Sequence, residues 1–131
     1  MNMSKNPVVH FEMPYTDAER VATFYKNAFG WNMVPLGENM GGYITAETTN
    51  TENGRPTEPG HINGGFYTKQ ADHTLQYPSV VIAVDDVQAV IQAVVAAGGQ
   101  IIGEPMDIPG VGLYVSFTDS EGNRASLLKP V

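Results

Sequence analysis

Apolar positions along this chain follow two rhythms, and each rhythm occurs twice. In Val8-Val9-His10-Phe11-Glu12-Met13 the period is two, so Val8, His10 and Glu12 share one face of a strand and Val9, Phe11 and Met13 the other. After Pro14-Tyr15 the period lengthens. Thr16-Asp17-Ala18-Glu19 has the S/T-x-x-E form of a capping box, and Val21, Phe24, Tyr25 and Ala28 recur at helical spacing. Gly30 stands where a left-handed helix end is wanted, so the pattern predicts a helix over 17–29, with Phe24, Tyr25 and Phe29 in the core. Strands are predicted over 31–36, 43–48 and 61–68, the last broken by Gly64-Gly65. The intervening stretch 49–60 is rich in Thr, Asn, Glu, Pro and Gly and has no period, which predicts a long loop.

A polar connector, 69–77, leads into a second round. An apolar strand over 80–84 precedes Asp85-Asp86, which opens a helix carrying Val87, Val90, Ile91 and Val94 on one stripe, and Gly98-Gly99 closes it. Strands over 100–102, 112–117 and 124–129 follow, the last two joined by the turn Asp119-Ser120-Glu121-Gly122-Asn123. Asp17 to Gly30 and Asp85 to Gly98 each span 13 positions, and each half reads βαβββ. Neither half can bury both its helix and its sheet face alone. The prediction is therefore one α+β domain over 1–131, with module one about 7–68, the connector 69–77 and module two about 78–131.

Composition narrows the function classes. Seven Lys plus Arg against 14 Asp plus Glu give the 131 residues a formal net charge of −7. Such a balance lacks the basic surface that nucleic acid requires and disfavours docking on anionic lipid. No apolar run approaches the ~20 residues of a membrane span, and the first residues, Met1 to Pro7, are polar. Zero Cys removes disulfides, thiolate metal ligands and cysteine nucleophiles. The expected setting is a cytoplasmic protein without nucleic-acid or membrane partners. Phosphate-binding Gly-rich loops, GxSxG elbows and HExxH pairs do not occur.

His10 and Glu12 sit i, i+2 on one strand and point the same way. Together they can serve as acid and base, as half a metal site, or as a structural hydrogen-bonded pair. His61 opens a strand and His73 lies in the connector. Tyr43 and Tyr114 fall mid-strand, where aromatics either pack the sheet or line a cavity suited to flat or cationic ligands. Glu47, Glu52, Glu58 and Asp72 gather around the long loop and connector, either as solvated charge or as an acidic groove.

The order βαβββ-βαβββ, with His10-Phe11-Glu12-Met13-Pro14 leading into Asp17-Ala18-Glu19-Arg20, Phe24-Tyr25 and Phe29-Gly30-Trp31, resembles the vicinal oxygen chelate superfamily. That group includes glyoxalase I, bleomycin-resistance proteins, fosfomycin-resistance enzymes and extradiol dioxygenases. Ile108-Pro109-Gly110-Val111-Gly112 and Phe117-Thr118-Asp119-Ser120-Glu121-Gly122-Asn123 make the chain similar to the bacterial subgroup of predicted enzymes related to lactoylglutathione lyase. The resemblance covers nearly the whole chain and implies modules curled into a cup, a homodimer and a small-molecule ligand. The family's metal enzymes set four ligands in the cup. The first is a His seven residues before the helix-opening Asp, matched by His10. The second, a His six residues before the other helix-opening Asp, falls on Ser79, and a Glu four residues after the turn glycine falls on Ser126. The remaining Glu belongs near Gly64-Gly65-Phe66-Tyr67, which carry no carboxylate. Hydroxyls are weak donors beside imidazole and carboxylate. The resemblance thus implies a small-molecule-binding member without the full metal site and with no cofactor. His10 and Glu12 are its catalytic candidates, and Tyr43, Tyr67, Ser79, Tyr114 and Ser126 its ligand-binding candidates. The alternative is a metal-dependent lyase or isomerase related to lactoylglutathione lyase, with His10 and Glu12 holding a divalent metal or moving a proton. A protein-interaction module is a third reading, resting only on the fold's habit of dimerising.

Overall fold

The computed structural model describes residues 5–71 and 73–131. The chain divides into two units, His10–Pro78 and Ser79–Val131, the second also taking in the described residues 5–9. The first module runs β1 (Val8–Tyr15), α1 (Ala18–Phe29), β2 (Asn32–Pro35), a single 3-10 turn at Glu38–Met40, β3 (Ile44–Glu47), β4 (Thr51–Glu52), β5 (Arg55–Pro56) and β6 (Asn63–Thr68). Its sheet is ordered β2-β3-β6-β1, with β1 and β6 parallel and the other pairs antiparallel. The second runs β7 (Ser79–Ala83), α2 (Val87–Ala96), β8 (Gln100–Ile108), β9 (Gly112–Thr118) and β10 (Arg124–Pro130). Its order is β7-β10-β9-β8, again with first and last strands parallel. Both modules are therefore βαβββ with one shared topology, an α+β plan as the hydrophobic rhythm predicts.

Local chemistry sets the helix ends. Asp17 is the N-cap of α1 and accepts from the Arg20 backbone N–H at 2.9 Å. The expected capping box is thus one residue out of register, and the Thr16 hydroxyl instead accepts from Arg20 Nη2 at 3.0 Å. Gly30 closes the helix at φ 74°. In α2 the cap is Asp86, not Asp85, and accepts from the Ala89 backbone N–H at 3.1 Å. The helices have 12 and 10 residues rather than equal spans.

Two further expectations change. The stretch 49–60 contains the small hairpin β4–β5, turned by Asn53-Gly54 with both residues at positive φ. β8 continues to Ile108, past the predicted end at 102, because its pairing with β9 resumes after a register shift between Ile102 and Met106.

One face of each sheet lies under its own helix. In module one Ile44, Ala46 and Phe66 are buried beneath Phe11, Met13, Val21, Tyr25, Trp31 and Met33. Phe24 and Phe29, expected in the core, are 56% and 62% exposed. Phe24 lies about 100° around the helix from Tyr25, and Phe29 is the last helical residue, so both slip past the sheet and pack on the flanks of Tyr25 and Trp31. In module two Val84, Val87, Val115, Phe117 and Leu127 form the core under Val90, Ile91 and Val94. The opposite face of each sheet carries the polar residues.

Candidate functional site

The helix-free face of module one follows from strand register. Glu12 pairs with Gly65 and Gly65 with Thr45, so these three form one row, and His10 pairs with Asn63 two residues away on the same face. Tyr43, two residues before Thr45, turns back across this row. Its hydroxyl donates to Glu12 Oε2 at 3.0 Å and lies 3.0 Å from His10 Nε2. A Cβ built on Gly65 would overlap that hydroxyl, so the tyrosine reaches Glu12 only because residue 65 has no side chain. Glu12 is buried. Burial lowers the His10 pKa from its ordinary value, against the opposing pull of the Glu12 carboxylate, and favours the neutral imidazole. The expected pair is thus a triad of imidazole, phenol and carboxylate. Tyr67 is two residues beyond Gly65 on the same face and is half-buried.

Module two repeats the row with different chemistry. Counted from the N-caps, Val81 matches Glu12, and its row runs Val81, Ser126, Ser116. Ser79 is then the counterpart of His10, Ser126 of Gly65, and Tyr114 of Tyr43. Tyr114 leans as Tyr43 does: its hydroxyl is 2.8 Å from Ser126 Oγ. Ser126 Oγ lies 3.1 Å from Ser116 Oγ, which accepts from Arg124 Nη2 at 3.2 Å. Ser116 and Arg124 were not anticipated from sequence. The signal was the internal match of Tyr43-Ile44-Thr45 to Tyr114-Val115-Ser116, legible once these two strands are laid side by side. Ser79 shares this face by alternation with Val81, but no hydrogen bond ties it to the hydroxyl cluster.

The remaining expectations resolve individually. His61 is exposed, with Nδ1 2.7 Å from the Thr49 hydroxyl, and His73 is exposed in the connector. Glu47 holds Asn32 Nδ2 at 3.1 Å. Asp72 lies outside the described residues. A surface hollow of about 450 Å³ sits at the start of α1 between Thr16, Arg20, Phe24 and Lys69, and none of the triad lines it. Its walls carry no histidine and one carboxylate, Asp17, already committed to capping, so the triad is the better site.

These features match known proteins. The family model of the Glyoxalase/Bleomycin resistance protein/Dioxygenase superfamily covers residues 8–127. The chain belongs to this superfamily. A glyoxylase-like domain-containing protein of Didymella fabae is 34% identical over 88% of this chain and 88% of its own. The lactoylglutathione lyase of Haemophilus influenzae is 23% identical over 93% of this chain and 91% of its own. A 51-residue stretch is 49% identical to the protein CFP32 of Mycobacterium tuberculosis, a match that spans 39% of this chain and only 20% of that relative. Among solved structures, Streptomyces coelicolor methylmalonyl-CoA epimerase superimposes with a TM-score of 0.71 at 13% identity, covering 98% of this chain and 99% of that one, a likeness of fold.

The superfamily's divalent site needs donors that this chain only partly supplies. In module one its first position, His10, is engaged by Tyr43, and the stretch 64–67 carries no carboxylate, with Tyr43 roofing Gly65; in module two the carboxylate position is Ser126, bonded to Tyr114. Among the described residues no group of three or more His, Cys, Asp or Glu is placed to hold a metal ion. One imidazole and the Glu12 carboxylate, both engaged by the Tyr43 hydroxyl, do not make a four-donor divalent site, and module two offers only neutral hydroxyls, so the donor set does not fit.

Proposed function

We propose that this protein binds a small organic molecule on the helix-free face of module one and does so without the superfamily's divalent metal. The observation that supports this most directly is the Tyr43 hydroxyl. It takes up the space over Gly65 and joins His10 to Glu12, which leaves an organised polar group in place of a ligand cage. Such a face, polar groups set among aromatics, is what small-molecule sites use for orientation. The reading includes a single domain over 1–131, a homodimer and a cytoplasmic location, all carried by the resemblance and the acidic composition.

A thermal-shift panel of cationic, neutral aromatic and glutathione-like compounds tests the binding reading. A native-state ligand stabilises by RT ln(1 + [L]/Kd), about 2.7 kcal/mol at a hundredfold excess over Kd. The expected result is a shift in the native protein that is lost in His10→Ala while the variant stays folded. No shift from any class of compound contradicts it.

A second reading, a lyase or isomerase, is favoured by the same imidazole–phenol–carboxylate chain, since a neutral imidazole beside a carboxylate can move a proton. Assaying methylglyoxal plus glutathione with and without added Ni²⁺ or Zn²⁺ separates the two. The binding reading expects no turnover. Turnover abolished by His10→Gln supports the enzyme.

A further inference from the structure

His10 uses one ring nitrogen and leaves the other. The Tyr43 hydroxyl has one proton, and it is given to Glu12 Oε2. The phenol then offers only lone pairs to His10 Nε2, so Nε2 carries the ring hydrogen and Nδ1 is the bare acceptor. Among the described residues no hydrogen bond engages Nδ1, and no buried side-chain nitrogen or oxygen lacks a partner. Nδ1 therefore opens to solvent.

The charge on its own sheet face has one sign. The strands β1, β2, β3 and β6 contribute two carboxylates to this face, Glu12 and Glu47, and no Lys or Arg. A half-buried acceptor beside carboxylates attracts hydrogen-bond donors and cations and repels anions, because a second negative group would be desolvated with no cation to receive it.

We propose that the helix-free face of module one takes a neutral or cationic organic molecule that presents an N–H or O–H donor to His10 Nδ1, and that it rejects anions. The inference rests on the reading of this face as a small-molecule site and specifies its ligand class. Tyr43 and Glu12 act through His10 as positioning residues: the carboxylate orients the phenol, and the phenol fixes the tautomer.

The test is long-range ¹H–¹⁵N correlation on the labelled full chain, with benzamidine, phenol and benzoate as probes of one ring size and three charges. Without probe, His10 is expected in the Nε2–H form. Benzamidine and phenol are expected to move the Nδ1 resonance and to bind at least tenfold tighter than benzoate. Tyr43→Phe is expected to populate both tautomers and weaken phenol binding, a change that a purely structural role for Tyr43 would not produce. An Nδ1–H tautomer in the native protein, an unchanged tautomer in Tyr43→Phe, or benzoate binding as tightly as benzamidine overturns the inference. The tautomer is read without ligand, so these outcomes are separable from failure of the site itself. That failure would show as no probe moving Nδ1, and it would overturn both readings.

Discussion

The Tyr43 hydroxyl touches His10 and Glu12 at once, and the room it occupies exists because residue 65 is glycine. Removing the hydroxyl in Tyr43→Phe leaves a buried carboxylate short of a donor. That should cost about 1.5–3 kcal/mol, the scale of a hydrogen bond to a charged group, measured by urea denaturation. Adding a methyl in Gly65→Ala should push the ring off the row. The ring is only part-buried, so the expected signature is a changed His10 titration with a small loss of stability. Gly64→Ala is the contrast. Its Cβ would enter the Phe11 ring on the helix-covered face, where overpacking typically costs about 1–3 kcal/mol, and the loss should appear in stability rather than in the site. His10 also links stability to pH. Burial, opposed by Glu12, holds its folded pKa below the unfolded value of about 6.5, so in the window between them the unfolded chain binds more protons. The imidazole's contribution is complete above the unfolded pKa and is lost as pH falls through the folded one. Urea melts across this range should show that slope in the native protein and a flatter one in His10→Gln. An equal slope in both would contradict the assignment.

At the scale of elements, local signals were the readable ones. Alternation in Val8–Met13 sorted His10 and Glu12 from Phe11 and Met13 correctly, because strand faces follow from neighbouring residues alone. The helix starts were legible to within a residue. Thr16 and Asp17 can both cap, and only the backbone decides that Asp17 takes the Arg20 N–H. Replacing Asp17 or Asp86 by Ala should each cost about 1 kcal/mol, and the two effects should add, since they cap different helices. Phe24 and Phe29 were misjudged because a helical stripe says which side faces inward but not how wide the covering sheet is. The hairpin in the long loop carried a signal in Asn53-Gly54 that its two-residue strands made easy to pass over. The Ser116–Arg124 bond was hidden for a different reason. It joins two strands, and cross-strand neighbours depend on register, which no local pattern states.

For the whole molecule, the repeat seen in the sequence is a repeat of topology, and its two polar faces have diverged. Module one holds an imidazole and carboxylates; module two holds serines, a tyrosine and an arginine. Both place a tyrosine hydroxyl on the last strand where the resemblance implies a glutamate, over Gly65 within the stretch 64–67 in one and at Ser126 in the other. That shared substitution is the basis of the proposal that this fold works without the superfamily's metal. The proposed single domain predicts one unfolding transition that coincides by far-UV circular dichroism and by fluorescence of the single tryptophan, Trp31. Two separated transitions would mean that the modules fold independently. The central claim is tested most directly by elemental analysis of freshly purified, untagged protein. The account predicts no nickel, zinc, manganese or iron at stoichiometric level. About one tightly held metal ion per chain, lost in His10→Ala, would contradict it.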